Sequence, residues 1–297
     1  MTHVERLRRS PANFRALTGI SPEHFDALLA EVAGRHARVL ASRGVRPGRR
    51  RAPGAGRTFK LPLCDRLLML LVYYRTYVTH AFLGFLFGVD DSTVGRDINP
   101  LQPLLAGVFR IPERKVELRP DEVRELFFDA TEQPTRRPGP GKGQRAYYSG
   151  KRKRHTLKHQ VVVVRKRLPP GPAPGGLPKR RRVRVAAVSP AYGGRTHDKR
   201  VYDLSRTACT PPGVPRAGDS GYRGTTLRVP HRKPPKGELT ARQRRANRRH
   251  ARRRVAAEHA IGKMKVWRVV SDRYRGPRRR HTLVMKNVAG LHNRMYG

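Results

Sequence analysis

The chain has 297 residues, which suits one large domain or a small domain joined to a larger one. It carries 66 Lys and Arg against 21 Asp and Glu, a formal net charge of +45. So large a charge repels itself in a compact state, and the phosphates of nucleic acid are the expected neutralising partner. Hydrophobic residues make up 37% of the chain and occur in runs, which argues against wholesale disorder.

Cysteine usage and hydropathy argue against several further classes of protein. Cys64 and Cys209 are far apart and show no metal-ligand spacing, so neither a disulfide framework nor a zinc site is predicted. The N-terminus lacks the apolar stretch of a signal peptide, and the apolar run Leu67–Tyr74 is too short to span a bilayer. We therefore expect a soluble intracellular protein with no membrane partner.

The first helix is predicted to begin at Ser21. Ser21 can cap it, Pro22 fits the first turn, and Glu23 suits the positive end of the helix. Apolar residues then recur at helical spacing. The segment Arg43–Arg57 is rich in Gly, Pro and Arg and is typical of a flexible basic linker.

A compact helical module is predicted over residues 62–106. It has a leucine-rich first helix, a second helix over Ala81–Phe87, a turn at Gly88 and a third helix over Asp91–Leu105. Two helices joined by a short Gly-containing turn are typical of a helix-turn-helix. A three-helix bundle without a DNA role fits the same pattern, but the charge of the chain favours DNA binding.

The pattern changes near residue 123 to that of a mixed α/β domain. Strands are predicted over Val123–Ala130, Leu157–Arg165 and Val183–Val188. Leu168–Pro178 is rich in Pro and Gly and would form a long hairpin loop. Further on, we expect a short helix over His197–Ser205, a strand end at Val214–Asp219, and a long Arg-rich helix from Glu238 to about Val269.

Two aspartates occupy unusual positions in this basic chain. Asp129 ends an apolar run, so it is expected at the end of a buried strand, although a lone Asp there is more often a turn or cap residue. Asp219 follows Gly218 and precedes Gly221 by two positions, which allows a ligand to approach the backbone closely. A simple turn explains Asp219 equally well in isolation.

Glu258 is the acid of interest on the long helix. Arg254, Glu258 and Lys265 are spaced by four and seven residues, so they fall within about 40° of one helix face. The same spacing would also result from a surface ladder of ion pairs. Together, the three acids could form a metal site, because phosphodiester cleavage uses divalent ions about 3.5–4 Å apart that are held by carboxylates.

Five ordered stretches carry a family resemblance. They are FFDATEQPTRRP (127–138), YYSGKRKRHTLKHQVVV (147–163), VSPAYGGRTHDKRVYD (188–203), GDSGYRG (218–224) and RRRVAAEHAIGKMKVWRVVSDRYR (252–275). With them the chain resembles the DDE transposases of bacterial insertion sequences, in the branch with an N-terminal helix-turn-helix. The resemblance covers nearly everything from Leu61 to the end and implies an RNase H-like mixed sheet flanked by helices.

The resemblance also implies roles for individual residues. Asp129, Asp219 and Glu258 would be both the catalytic residues and the ligands of Mg²⁺ or Mn²⁺, with two ions expected. A family signature of Tyr, Arg, Glu and Lys maps onto Arg254, Glu258 and Lys265 here, while Ala251 stands at the Tyr position. Asp198 could be an auxiliary ligand, although a helix cap is the simpler interpretation.

The resemblance places DNA contacts in three regions. Arg254 and Lys265 would contact phosphates beside the metal ions. The segment Tyr147–His159 would follow the DNA backbone, although a solvated basic strand explains it too. Its predicted contacts are Lys151, Arg152, Lys153, Arg154 and His155. In the helix-turn-helix, the predicted contacts are Ser92, Thr93 and Arg96.

The implied protein has a DNA-binding region over residues 1–110 and a catalytic domain over 111–297. It would cleave transposon ends and join the 3′-hydroxyl to target DNA, acting on double-stranded DNA as a homodimer or higher oligomer. It would reside in the bacterial cytoplasm, associated with the nucleoid. The alternatives are a non-catalytic or cleavage-only DNA-binding protein derived from a transposase, a host nuclease of the same fold, and a basic ribosomal or chromatin protein. The last explains the charge but not the spaced acids.

Overall fold

The computed structural model describes residues 1–44, 58–114, 116, 118–141, 143–167, 183–205 and 213–296. The chain divides into two compact units. The first comprises Met1–Arg110 with Val266–Val269, and the second comprises Ile111–Lys265 with Val270–Gly297. Almost all of the predicted linker Arg43–Arg57, and all of the predicted loop Leu168–Pro178, lie outside the described residues.

The first unit is helical. Its α-helices are α1 (His3–Arg8), α2 (Pro11–Thr18), α3 (Pro22–Gly44), α4 (Leu63–Thr76), α5 (His80–Phe87) and α6 (Asp91–Phe109). As the sequence predicts, Ser21 caps α3, and its hydroxyl accepts a hydrogen bond from the backbone N–H of His24 at 3.4 Å. Helices α5 and α6 are joined by the predicted turn at Gly88, which has a φ of +67°.

The core of the first unit forms around α4, which is apolar on nearly every side. Leu67, Leu70 and Leu71 are fully buried there. Trp267, from the segment that belongs to this unit, closes the core against the end of α2. Its indole N–H donates to the carbonyl of Thr18 at 3.3 Å. The ring occupies the space beside Gly19, where any Cβ would lie 2.6 Å from it.

The approach of α5 to the turn before α6 depends on Gly84. A Cβ at this position would lie 2.4 Å from the carbonyl oxygen of Val89, closer than real Cβ contacts come. The helix-turn-helix geometry is therefore set by backbone packing against a residue without a side chain.

We predict that Gly84→Ala destabilises the first unit by about 1–3 kcal/mol, because the methyl group forces α5 away from the turn. The matched control is Gly34→Ala in α3, where an added Cβ has nothing within 4 Å. That change should instead stabilise the helix by about 0.5–1 kcal/mol. Urea unfolding followed by circular dichroism measures both, and equal effects from the two substitutions would contradict the packing argument.

The second unit combines strands and helices, which confirms the predicted mixed α/β class. Its strands are β1 (Val123–Pro134), β2 (Tyr148–Ser149), β3 (Arg154–Lys166), β4 (Val183–Val188), β5 (Tyr192–Gly193) and β6 (Arg216–Ala217). Its α-helices are α7 (Gln144–Tyr147), α8 (Asp198–Ser205), α9 (Ala241–Met264) and α10 (His281–Tyr296).

The sheet is mixed and centres on the long antiparallel pair β1–β3. Strands β2, β4 and β5 also run antiparallel to β3. On its other side β1 pairs in parallel with β6, with Phe127 opposite Ala217. Because the two strands run in the same direction, the residues two positions beyond this pair also lie side by side. Those residues are Asp129 and Asp219.

Both faces of the central pair are covered. Leu126, Phe128 and Val162 share one buried cluster with Tyr202 of α8. Phe127 points to the opposite face and is also fully buried. On the far strand, the Asn293 side chain of α10 bonds the backbone N–H and C=O of Val185, at 2.8 and 2.7 Å.

Two boundaries differ from the sequence-based expectation. Strand β1 continues to Pro134, so Asp129 lies within the strand, opposite Val161, and not at its end. The strand continues because β3 begins as early as Arg154 and pairs with the whole of this extension. Helix α9 ends at Met264 and not near Val269, since the segment containing Trp267 turns away into the first unit.

Candidate active site

A cavity of about 610 Å³ opens in the second unit and contains the three predicted acids. We call it the carboxylate cavity. Its acidic lining residues are Asp129, Glu132, Asp198, Asp219 and Glu258. Its basic lining residues are Lys151, Arg152, Lys158, Arg195 and Lys265. The cavity is thus a mixed-charge site, in which carboxylates from separate elements face a rim of cations.

Asp129 is largely buried, with 16% of its side chain exposed. Its Oδ1 accepts a hydrogen bond from the backbone N–H of Ala130 at 2.9 Å. The pKa of Asp129 is raised to about 6, mainly by burial; Arg254 opposes the rise, and the negative charges of Asp219 and Glu258 contribute to it. Asp129 therefore lies within electrostatic range of both other acids.

Asp219 follows β6 and caps a short 3₁₀ turn over Ser220–Tyr222. Its Oδ1 accepts the backbone N–H of Gly221 at 2.8 Å. A Cβ on Gly221 would lie 2.8 Å from Oδ2 of Asp198 and 3.0 Å from Oδ1 of Asp219. Gly221 thus lets two carboxylates come close together, and Asp219 both caps the turn and lines the cavity.

Glu258 projects from α9 and is 55% exposed. Arg254, one helical turn earlier, lies between two of the acids. Its Nη2 is 3.7 Å from Oδ2 of Asp129 and 3.8 Å from Oε1 of Glu258. The predicted phosphate contact Arg254 is therefore also the internal counter-ion of the site.

The donor chemistry of the cavity fits a hard divalent cation. Three carboxylates reach it from β1, from the turn after β6 and from α9, and burial penalises the charge of one of them. As they stand, the described residues contain no group of three His, Cys, Asp or Glu side chains drawn together tightly enough to hold a metal. Arg254 contacts oxygens of Asp129 and Glu258 that a cation would also need.

Lys158 is a site residue that sequence reasoning missed. It is almost fully buried. Its Nζ donates to the carbonyl of Thr196 at 2.7 Å and to Oδ1 of Asp198 at 2.9 Å, and lies 3.1 Å from Oε1 of Glu132. A lysine inside an otherwise buried strand needs an acidic partner, and that was the available signal.

Glu132 is the second missed residue. Burial alone would raise its pKa, but hydrogen bonds from Ser149 and Thr156 and the charge of Lys158 together lower it. Asp198, considered above as a ligand or cap, lies in the first turn of α8 and is ion-paired with Lys158. Lys158 is thus ion-paired with two of the five cavity carboxylates.

The predicted basic segment divides between the cavity and its surroundings. Lys151 and Arg152 line the cavity, in the turn between β2 and β3. Lys153 and Arg154 are exposed and do not line it, and the half-buried His155 packs its ring against Tyr148. Lys265 lines the cavity; burial and then the positive charge of Arg152 lower the pKa of Lys265.

In the first unit, the predicted helix-turn-helix contacts also divide. Ser92 and Arg96 are exposed at the start of α6, whereas Thr93 is only 8% exposed. The Arg96 guanidinium donates to the hydroxyls of Ser92 at 3.0 Å and Thr93 at 3.2 Å. Ser92 and Arg96 are therefore accessible to solvent, whereas Thr93 orients the Arg96 side chain.

Two family models match the chain. Residues 59–111 match the helix-turn-helix of DDE superfamily endonuclease, and residues 180–293 match the DDE superfamily endonuclease itself. The second match contains Asp219 and Glu258 and begins after Asp129. No solved structure matches the chain.

Two curated relatives cover nearly the full length. One, from Microchaete diplosiphon, is named as a transposase for insertion sequence element IS702; it is 27% identical, over 98% of this chain and 97% of that protein. Another, from Streptomyces albus G, is named as a transposase for insertion sequence element IS112; it is 29% identical, over 95% of this chain and 94% of that protein.

These matches point to one class. The chain is similar to DDE superfamily endonucleases in its helix-turn-helix region and in its endonuclease region, and along nearly its whole length to proteins named as transposases of insertion sequences. Among the described helices, none has both the length and the apolar character needed to cross a membrane.

We predict that Lys158→Met destabilises the second unit by about 3–5 kcal/mol, because it leaves two partly buried carboxylates without a cation. The control is Lys199→Met, since Lys199 pairs with Asp203 at the same 2.9 Å distance but on the exposed surface of α8. That change should cost less than about 1 kcal/mol. Chemical denaturation measures both variants, and a loss of equal size in the two would show that burial of the Lys158 pairs is unimportant.

Proposed function

We propose that this protein is a DNA transposase that cleaves the ends of its element and joins the freed 3′-hydroxyl to target DNA. The observation that carries this proposal is the meeting of Asp129, Asp219 and Glu258 in one cavity, from three separate elements. The repulsion that both other acids exert on Asp129 supports a shared task for the three.

Asp129, Asp219 and Glu258 would hold Mg²⁺ or Mn²⁺, with two ions expected. When bound, such ions stabilise the charge that develops on the attacking and leaving oxygens of a phosphodiester. The carboxylates of the chain supply hard oxygen donors, and β1 and the turn after β6 fix two of them through hydrogen bonds to the backbone N–H groups of Ala130 and Gly221.

The cations of the cavity would position the DNA strand. Lys151, Arg152 and Lys265 line the same cavity as the acids, so a scissile phosphate held there meets positive charge on its non-bridging oxygens. Arg254 would share its guanidinium between the carboxylates and a phosphate. Lys158 has no free donor for DNA, since its Nζ is occupied by Thr196, Asp198 and Glu132.

We further propose that the second unit is an RNase H-like catalytic domain, corresponding to residues 111–297. The antiparallel β1–β3 pair, the parallel β6 and the helices on both faces support that fold. Residues 1–110 would recognise the element's ends, with Ser92 and Arg96 of α6 presented to DNA. Because two ends are joined, at least a dimer is expected during the reaction.

The proposal predicts that Asp129→Ala, Asp219→Ala and Glu258→Ala each lower nicking and joining by more than about a hundredfold, since each removes a direct metal ligand. A duplex carrying the element's ends, incubated with Mg²⁺ or Mn²⁺, is the substrate, and nicked and joined products are counted separately. Binding to the same duplex in EDTA should remain within a factor of a few.

The matched control is Asp203→Ala. Asp203 is an exposed acid on α8 that pairs with Lys199 and does not line the carboxylate cavity. This variant should nick and join at the wild-type rate. Wild-type activity in the three cavity variants would refute the proposed function, whereas cleavage without joining in the wild-type protein would restrict it to a nuclease.

A further inference from the structure

Helix α9 forms a wall of two different cavities. Glu258 and Lys265 on one face line the carboxylate cavity. His259 and Lys263 line a second cavity of about 580 Å³ in the same unit. At about 100° per residue, the α9 residues of the two cavities centre roughly 140° apart around the helix. The second cavity therefore lies on another flank of α9 and is distinct from the candidate active site.

The charged side chains that line the second cavity are all basic. Arg165, Arg252 and Lys263 line it, and none of its described lining residues is an acid. Tyr296 supplies an aromatic wall, with Nζ of Lys263 lying 4.2 Å from the ring centroid. Its chemistry suits an anion and does not suit a divalent cation.

The positive charge continues along the same face of α9 beyond the cavity. Five exposed residues lie within about 60° of one another around the helix axis. They are Arg245, Arg248, Arg252, His259 and Lys263, which we call the α9 stripe. The stripe runs for about 27 Å along the helix, comparable to about eight successive phosphates of one DNA strand.

The residues of the α9 stripe differ from the neighbouring arginines of α9 in their ion pairing. Arg253 pairs with the buried Glu125 at 3.0 Å, and Arg254 pairs with Asp129 at 3.7 Å. In the part of the chain that the structure describes, none of the five stripe residues pairs with a carboxylate. Sheet-facing cations are thus neutralised within the protein, and the stripe is left to an external anion.

We propose that the α9 stripe and the adjoining cavity bind the phosphate backbone of duplex DNA at a site separate from the carboxylate cavity. The proposal rests on the function above, in which the protein acts on DNA. A linear array of exposed cations suits phosphates and not a particular sequence. The stripe would therefore contribute affinity without metal ions and take no part in the bond chemistry. Its DNA is either the target or the flank of the element's end.

The test removes four charges of the stripe in the full-length protein, as Arg245→Gln, Arg248→Gln, Arg252→Gln and Lys263→Gln together. The control removes three arginines and one lysine exposed elsewhere in the same unit, as Arg119→Gln, Arg200→Gln, Lys236→Gln and Arg273→Gln. Affinity for a duplex of unrelated sequence is measured in EDTA over a series of salt concentrations. Circular dichroism and urea unfolding verify that both variants fold.

Losing four phosphate contacts should reduce the slope of log K against log salt by about 3.6, since each contact contributes about 0.9. The control variant should change the slope by less than about 1. Equal changes in the two variants, or a wild-type slope in the stripe variant, would overturn the proposal because affinity would then follow total charge or other surfaces.

Reaction assays on the same variants separate the two sources of DNA. Loss of joining with nicking retained assigns the stripe to target DNA. Loss of both, restored by saturating DNA, assigns it to the flank of the element's end. Loss of nicking that saturating DNA does not restore contradicts a surface outside the chemistry. An unchanged salt slope would contradict this inference, and the proposed function would still be tested by the cavity variants. Activity of the Asp129→Ala protein would contradict the proposed function, and the salt slope would still test the stripe.

Discussion

Five carboxylates surround one cavity in the second unit, and they repel one another. The surrounding elements supply the cations and the hydrogen-bond donors that offset this repulsion. Lys158 takes two of them, Glu132 and Asp198, into buried ion pairs. Asp219 is held by a backbone N–H, and Arg254 contacts both Asp129 and Glu258. Removing a partner from such a site leaves a desolvated charge, which costs more than the pair itself contributes. Two cavity carboxylates are thus paired with a buried lysine, while Asp129, Asp219 and Glu258 depend on Arg254 and on backbone N–H groups.

The same division appears in the cations, and α9 shows it within one helix. Arg253 and Arg254 turn toward the sheet and meet acids there, while the stripe face meets none among the described residues. The basic residues that give the chain its net charge of +45 therefore differ in their partners. Some of the 66 basic residues pair with acids inside the protein, and others form surfaces whose neutralisation requires an outside polyanion. The proposed affinity for DNA and the proposed cation site are consequently compatible in one domain.

Sequence patterns predicted the helices of residues 62–106, the central strands and α9, because these depend on local features, but they did not predict α1, α2 or α10. Runs of Phe and Val predicted β1 and β3, and helical spacing placed Arg254 and Glu258 on one face, where they now lie 3.8 Å apart. The patterns were insufficient for the position of Asp129 within β1, because the strand's length depends on where β3 begins. Lys158 was missed for a related reason: its partners Glu132 and Asp198 lie 26 and 40 positions away, and only the sheet and α8 bring them together.

The parallel pairing of β1 with β6 explains how distant acids become neighbours. Phe127 and Ala217 are 90 positions apart, yet they face each other across the sheet, and the aspartate two residues after each enters the cavity. Glu258 reaches the same place by a different route, from a helix packed against the central strands. Because each of the three acids sits on an element fixed by its own hydrogen bonds or packing, the backbone sets their spacing. Arg254, one turn from Glu258 on α9, contacts both Asp129 and Glu258, and it is there that the proposed binding of a cation and of a phosphate would be coupled.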